Sequence, residues 1–564
     1  MKLCDSVLWM GAGLHRFFLY YKRRLCYTLD MIPRKMPIGI QDFESIRSGG
    51  YVYVDKTAYI YRLATEGKPY FLGRPRRFGK SLLLSTIKAY FLGKRELFRK
   101  TDGQPELAIA ALEQDWTEYP VFHIDLNVAN YNSPAALDSA FGVNLRPLEK
   151  QWGKDPEDDT SSTRFLGLIR RACEQSGRKV VVLVDEYDKP LLETMDDPAL
   201  NEEIRRGLKA FYGVLKTADP WLRFVFLTGV TKFSQVSVFS DLNQLRDISL
   251  EEAYAGICGI SPTELNAVYE PELRAFAEKR RLTYEETLAG MQKRYNGYHF
   301  AKNSEGVFNP FSILNTLAKQ DFSYYWFKTG TPTFLIKLLQ KADFDLRDFA
   351  GGVSIPSQSI DDYRIQGGSP VPILYQSGYL TIAGYDEQFD SYLLGFPNEE
   401  VRYGFLNSLL PYYLPELPDR QGFYIGNFVE DLQKGEVDAF MTRLRAFFAA
   451  IPYELNDKTE RHYQAIFYVV FTLMGQYAEA EARSAAGRAD AVVAIKDRVY
   501  VFEFKLAHEG TAAAAVEAAL RQIDEKGYLV PWSAGGKRLT KVGAVFDPAT
   551  RTLGEWKQEA NIAE

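Results

Sequence analysis

The residues GRPRRFGKS, positions 73–81, join a strand-like apolar run to a helix-like pattern at 81–93. Backbone N–H groups at the start of a helix, together with the helix dipole, favour a bound phosphate. Lys80 is placed to reach β- and γ-phosphate oxygens, and Ser81 is placed to ligate Mg²⁺. A standard phosphate-binding loop has glycine at position 74, where this chain has arginine. A cationic surface turn could have the same residues, so this segment alone does not establish a phosphate-binding loop.

A second observation is VVVLVDE at 180–186, an apolar strand that ends in two carboxylates. The end of a buried strand lies at the sheet edge beside the loop, where Asp185 can hold Mg²⁺ and Glu186 can polarise a water. A further strand-like segment, RFVFLTG, ends near Thr228, our first choice for a contact with the γ-phosphate or its water; Thr231 is the second. We therefore predict an ATP and Mg²⁺ site. Its expected nucleotide-binding residues are Arg77, Phe78, Gly79, Lys80, Ser81, Asp185 and Thr228.

Apolar strands alternate with amphipathic helices along residues 36–260, which predicts a parallel sheet flanked by helices. Residues 261–421 read as a helical middle region, and residues 422–564 as a third domain that contains a hairpin and a helix. Residues 1–35 read as a loosely attached extension. The fold class that we predict is therefore α/β, with a P-loop NTPase domain first.

Composition and charge limit the kinds of partner, such as nucleic acid, membrane or zinc, that this chain is expected to bind. The 564 residues are 46% hydrophobic and 25% charged, which is typical of a globular, core-forming chain. The net charge of −5 excludes a uniformly basic surface for nucleic acid. The longest apolar run, 465–475, is roughly half of what a membrane span needs. Four scattered cysteines and isolated histidines argue against a disulfide framework or a zinc site, so we expect a cytoplasmic protein without membrane contact; the oligomeric state stays open.

A second group of charged residues lies in the predicted hairpin. A two-residue turn at 496–497 would place Asp490 opposite Glu503, with Lys505 on the same face of the sheet. Charges on an otherwise apolar hairpin are costly without partners, so we expect them to surround a cation. Asp490 and Glu503 would hold Mg²⁺, and Lys505 would orient or deprotonate the attacking water. The alternative is an ordinary charged outer face of a hairpin.

Four segments resemble bacterial AAA-ATPase-like proteins, which usually have a C-terminal domain similar to the PD-(D/E)XK nuclease superfamily. They are YVDKTAYIYRL (53–63), RPRRFGKSLLLSTI (74–87), LVDEYDKP (183–190) and LTGVTKFSQVSVFSDLN (227–243). By this resemblance Lys80 and Ser81 match the Walker A positions, and Asp185 and Glu186 the Walker B positions. The resemblance also implies a restriction-endonuclease-like C-terminal domain, in which a helical glutamine, here Gln522, supports the site.

We therefore predict an ATPase joined through the middle region to a Mg²⁺-dependent nuclease domain. Nucleic acid is the expected partner, with DNA favoured over RNA. The alternative is a nucleotide-dependent switch or scaffold whose C-terminal domain binds DNA or protein without cutting. The enzyme is favoured over the scaffold because Asp490, Glu503 and Lys505 are all present. A metabolic kinase ranks last, because no acceptor-substrate site is recognisable.

Overall fold

The structure is a computed structural model of the chain. It describes residues 34–67, 69–100, 105–232, 244–329, 352–360, 369–413, 421–449, 467, 469–475, 490–495, 497–507, 511–547, 550 and 552–561. Two predicted features lie outside the described residues: most of the extension at 1–35 and the second half of the 227–243 segment.

The first region is built on a five-stranded parallel sheet with the order β2-β3-β4-β1-β5. Its strands are β1 Tyr70–Gly73, β2 Val121–Asp125, β3 Val180–Asp185, β4 Leu222–Gly229 and β5 Arg246–Asp247. Its helices are α1 Phe43–Ser48, α2 Thr57–Glu66, α3 Lys80–Phe91, α4 Ile109–Leu112, α5 Pro134–Trp152, α6 Ser161–Ser176, α7 Lys189–Glu193 and α8 Pro198–Thr217. The predicted parallel sheet with flanking helices is confirmed.

The strand order decides where the loops meet. Every residue of β3 is buried, as expected for a strand that is covered on both faces. Strand β4 lies between β1 and β3, and all three run in parallel. The loop that follows β1, the carboxylate that ends β3 and the threonine near the end of β4 therefore lie at one edge of the sheet.

The middle region is helical, as predicted, and it also contains a small antiparallel sheet that the sequence did not predict. Its helices are α9 Pro262–Arg280, α10 Tyr284–Tyr295, α11 Pro310–Lys319, α12 Val371–Gln376 and α13 Glu399–Tyr413. The sheet has the order β6-β8-β7, with β6 Val353–Pro356, β7 Thr381–Asp386 and β8 Ser391–Gly395. Short strands of mixed polarity such as these lack the long apolar run by which β3 was found.

The third region is a four-stranded mixed sheet with the order β12-β11-β10-β9, flanked by helices. The strands are β9 Ala491–Ile495, β10 Arg498–Leu506, β11 Arg538–Asp547 and β12 Thr552–Asn561, and the helices are α14 Gln421–Lys434, α15 Val437–Ala449 and α16 Ala512–Glu525. The segment 424–450, whose sequence pattern is that of one continuous helix, forms two helices, because Gly435 adopts a left-handed conformation (φ +85°) between them.

The predicted hairpin register is confirmed. Arg498 is opposite Ile495, and Phe502 is opposite Ala491. Asp490 lies one residue beyond this last pair, so in the same register it faces Glu503. Buried apolar side chains from all three regions belong to one contiguous cluster, so the regions pack directly against one another.

Candidate functional site

The loop after β1 closes around the Lys80 side chain. The Lys80 ammonium donates hydrogen bonds to the carbonyl oxygens of Arg74 (2.8 Å) and Pro75 (3.1 Å). Gly79, at φ +92°, turns the chain into α3. Burial lowers the pKa of Lys80, and the nearby carboxylates, led by Asp185, act in the opposite direction. The ammonium is therefore held at the centre of the loop, close to acidic groups.

Arg77 and Phe78 point in different directions. Arg77 is exposed, has a positive φ of +67°, and its guanidinium lies 4.9 Å from the centroid of the Phe311 ring in α11. Phe78 is buried in edge-to-face contact with Tyr298 (4.7 Å between ring centroids) and packs also on Phe300. The Phe78 side chain is thus part of the core, and only its main chain is available to a nucleotide.

The arginine at the unusual loop position has a structural explanation. Arg74 is 1% exposed, and its guanidinium donates to the carbonyl oxygens of Gly73 (2.8 Å), Ser249 (2.8 Å) and Tyr254 (3.1 Å). It also lies 4.1 Å from the centroid of the Phe300 ring. Arg74 therefore ties the loop to the segment that follows β5, a role that sequence reasoning did not foresee.

Arg74→Gly, which installs the standard loop residue, is expected to destabilise the protein. The Gly73 and Ser249 carbonyls lose their Arg74 donor, whereas the Tyr254 carbonyl keeps the Ile257 N–H (3.2 Å). At about 1–3 kcal/mol for each unpaired buried carbonyl, the free energy of unfolding should fall by about 2 kcal/mol or more. Urea denaturation measures this change. Arg99→Gly, at an exposed position, is the control and should cost less than about 1 kcal/mol. Equal losses in the two variants would contradict the assigned role of Arg74.

Asp185, at the end of β3, is held by the neighbouring strand. Its Oδ1 accepts from the Thr228 hydroxyl (2.7 Å) and from the Glu186 backbone N–H (3.1 Å). Thr228 is fully buried, and its hydroxyl donates to Asp185. Direct contact between Thr228 and a phosphate stays a prediction; the observed contact favours a role in positioning the carboxylate.

Thr228→Val is expected to raise the Mg²⁺ concentration needed for ATP binding by about 3- to 10-fold, the worth of one net hydrogen bond. The reason is that Asp185 loses the donor that fixes its carboxylate. ATP binding measured across a Mg²⁺ titration tests this expectation. Thr228→Ser retains the hydroxyl and should follow the wild type. The same Mg²⁺ requirement in both variants would refute it.

Glu186 and Asp188 place two further carboxylates at the sheet edge where Asp185 lies. Glu186 has a positive φ of +51°, and burial raises its pKa above the ordinary carboxyl value. Asp188 is 1% exposed and accepts from the N–H groups of Val230 (3.0 Å) and Thr231 (2.6 Å) and from the Thr231 hydroxyl (2.7 Å). Thr231 is thereby directed to Asp188. The motifs of the sequence did not indicate Asp188, although it follows Glu186 by two residues.

These groups border two adjacent cavities. The larger, of about 560 Å³, has Lys80, Ser81 and Glu186 in its wall. Asp185 lies instead in the wall of a smaller cavity of about 270 Å³, and Ser81 borders both. The middle region forms the opposite wall of the larger cavity with Pro310, Phe311, Leu314, Trp326, Phe327, Ser377 and Tyr379.

The C-terminal site gathers the predicted charges at the ends of β9 and β10. The Lys505 ammonium donates to Glu503 Oε1 (3.2 Å) and to Gln522 Oε1 (2.6 Å). The Gln522 amide donates in turn to Glu503 Oε1, and the Phe504 N–H donates to Asp490 Oδ2 (2.8 Å). The structure thus brings Asp490, Glu503 and Lys505 together and adds Gln522 from α16.

The environment of Glu503 suits a cation. Glu503 is 3% exposed, and burial followed by the charge of Asp490 raises its pKa to about 7, against the effect of Lys505. Its Oε2 is buried and has no hydrogen-bond partner among the residues that the structure describes. A buried, unpaired carboxylate oxygen beside a second carboxylate is a fitting donor set for Mg²⁺ or Mn²⁺. Within the described part of the chain no three His, Cys, Asp or Glu side chains converge as metal ligands.

Comparison with known proteins identifies the family. A model described as a predicted AAA-ATPase matches residues 37–239, and one described as the PD-(D/E)XK nuclease superfamily matches residues 458–556. The "uncharacterized protein in vnfD 5'region" of Azotobacter chroococcum mcd 1 is 36% identical over 536 residues, covering 93% of this chain and 98% of the relative. The chain belongs to the AAA-ATPase-like family. Its C-terminal part belongs to the PD-(D/E)XK nuclease superfamily, as the motifs implied.

Solved structures with some similarity to this AAA-ATPase-like protein include one from an archaeon. The Aeropyrum pernix ORC2 protein in its ADPNP-ADP complexes is 11% identical, covers 61% of this chain and 87% of its own, and has a TM-score of 0.17. The fold follows from the order and direction of the strands in the first sheet. In the portion of the chain that the structure describes, none of the helices combines the length and apolar character needed to cross a bilayer.

Proposed function

We propose that this AAA-ATPase-like protein binds ATP with Mg²⁺ and hydrolyses it at the larger cavity. The observation that supports this most is the presence of Lys80, Ser81 and Glu186 in the wall of one cavity of about 560 Å³, at the edge where β1, β3 and β4 end. Lys80 would exchange its carbonyl partners for β- and γ-phosphate oxygens. Ser81 and Asp185 would hold Mg²⁺, which supplies neutralising charge to the phosphates.

Glu186 is the proposed general base. Its carboxylate borders the cavity, and burial raises its pKa above the ordinary carboxyl value, so it can accept a proton from an attacking water more readily than an exposed glutamate. Asp188 and Thr228 would act through neighbouring residues. Asp188 fixes the loop after β4 through Val230 and Thr231, and Thr228 fixes Asp185.

The second half of the proposal is metal-dependent cleavage of nucleic acid by the C-terminal site, with DNA favoured. Asp490 and Glu503 would hold the metal, which supplies Lewis-acid polarisation of a phosphodiester. Lys505, anchored by Gln522, would orient or deprotonate the water. Two observations support this half of the proposal. These side chains converge on one face of a sheet, and the C-terminal part of the chain matches a nuclease superfamily.

Domain boundaries and location belong to the same proposal. We divide the chain into an extension at 1–35, an ATPase domain at 36–260, a middle region at 261–421 and a nuclease-like domain at 422–564. A cytoplasmic setting is supported by Cys173 and Cys258, which are free thiols.

Calorimetric titration of the purified protein with ATP in Mg²⁺ tests the first half of the proposal. We expect one site per chain, and we expect it to be lost when Mg²⁺ is removed by a chelator. Absence of binding at millimolar ATP would overturn the proposed ATPase.

A further inference from the structure

Two loops of the nucleotide cavity are contacted by the middle region of the same chain. The Trp326 indole N–H donates to the carbonyl oxygen of Arg76, inside the loop after β1, at 3.0 Å. Gly378 (φ +87°) packs so closely that a Cβ there would lie 2.7 Å from Pro75 Cβ. After β4, the Lys232 N–H donates to Gln376 Oε1 at 2.8 Å. The phosphate-binding loop is therefore held from outside its own domain.

Trp326 is itself fixed by a buried carboxylate. The Trp326 backbone N–H donates to Glu400 Oε1 (2.8 Å), and the Ser312 hydroxyl donates to Glu400 Oε2 (2.6 Å). Glu400 is 1% exposed, and burial raises its pKa to about 7. The Trp326 ring packs edge-on against Tyr379, at 5.4 Å between centroids. Glu400 thus joins α11, α13 and the turn that presents the indole to the loop.

The contact with the Arg76 carbonyl constrains the next amide. In a trans peptide the C=O and the N–H point in opposite directions. An indole that holds the Arg76 C=O on the middle-region side therefore keeps the Arg77 N–H on the other side. Amides of this loop are the groups expected to bind phosphate, so the orientation of this peptide bears directly on nucleotide affinity.

We propose that Trp326, anchored by Glu400, is a positioning residue of the nucleotide site, so that the middle region completes the site in cis. This inference rests on the proposed ATPase function and deepens it. Trp326 acts through the Arg76–Arg77 peptide, and Glu400 acts through Trp326. Nucleotide affinity then depends on a region that lies outside the P-loop domain.

Trp326→Phe tests the proposal, because it removes the indole N–H and keeps an aromatic ring against Tyr379. The KM for Mg·ATP should rise about three- to tenfold, the effect of one lost hydrogen bond, whereas kcat should change less than threefold because Lys80, Asp185 and Glu186 are intact. The matched control is Trp116→Phe, which also removes an indole N–H from a backbone carbonyl, that of Glu113 at 3.1 Å. Trp116 does not border the cavity, so the KM of Trp116→Phe should equal that of the wild type.

A merely structural role gives a different result. It would lower the melting temperature and kcat of Trp326→Phe while KM stays at the wild-type value, and that outcome would overturn the proposal. If wild-type protein does not bind Mg·ATP, the proposed function fails; if the wild type binds and Trp326→Phe has an unchanged KM, only this inference fails.

The anchoring by Glu400 has its own test. Glu400→Gln keeps the shape of the side chain and removes the negative charge that strengthens its hydrogen bonds to Trp326 and Ser312, so KM should rise in this variant as well. Because Glu400 acts through Trp326, the double variant should have the KM of Trp326→Phe alone. Full additivity of the two effects would contradict the anchoring role. If Trp326→Phe fails to fold, the KM of Glu400→Gln decides, and an unchanged value overturns the proposal.

Discussion

Replacing Lys80 by alanine is expected to weaken Mg·ATP binding by roughly 100-fold, about the worth of a buried charge-assisted contact to phosphate. Glu186→Gln is expected to retain binding and to lose turnover by a factor on the order of 10²–10⁴, because the proposed base can no longer accept a proton. The two variants therefore separate binding from hydrolysis. Calorimetry measures the first, and release of inorganic phosphate measures the second.

Controls for these variants come from exposed positions of the same domain. Lys100→Ala and Glu203→Gln make the same chemical changes away from the cavity, and both should behave as the wild type. Equal ATP turnover by the wild type and Glu186→Gln would remove Glu186 from the role of base. Wild-type affinity in Lys80→Ala would place the nucleotide elsewhere.

Lys505→Ala is expected to suppress nucleic-acid cleavage by a factor on the order of 10² or more, if Lys505 serves the attacking water. Metal binding should persist, because Asp490 and Glu503 remain and Glu503 keeps its contact with Gln522. Binding of nucleic acid should persist too, since backbone affinity comes from many distributed cations. Mn²⁺ titration in a Lys80→Ala background, which masks the ATP site, measures the metal.

Lys526→Ala, at an exposed position after α16, is the matched control for Lys505→Ala and should cut at the wild-type rate. Cleavage by Lys505→Ala at that same rate would exclude a catalytic lysine at this position. Loss of metal binding in Lys505→Ala would instead show that its main role is to hold Glu503 in place.

The parts of the fold that sequence predicts are those with a local cause. The apolar run at 180–184 favours a buried strand, and the carboxylates that follow it emerge at a sheet edge. The hairpin register follows from the period of two residues per pleat and a short turn, which is why Asp490 and Glu503 could be matched from numbering alone.

The parts that escaped prediction depend on contacts between residues far apart in the chain. Nothing near Arg74 shows that its guanidinium will reach the carbonyls of Ser249 and Tyr254. Likewise, Trp326 lies in an aromatic run that reads as packing, and its indole contact with Arg76 exists only once the middle region folds onto the loop. Glu400 offers no local pattern at all, because its importance comes from burial.

The central claim, that one chain contains an ATP site and a metal-dependent nuclease site, is tested most directly by one cleavage assay. Purified protein is incubated with single- and double-stranded DNA and RNA in Mg²⁺ or Mn²⁺, with and without ATP, beside Asp490→Asn. We predict metal-dependent cleavage of at least one substrate, DNA first, that ATP modulates and that Asp490→Asn loses. Wild-type protein that binds nucleic acid yet leaves every substrate intact under every metal and nucleotide condition would contradict the nuclease assignment and leave a nucleotide-dependent scaffold.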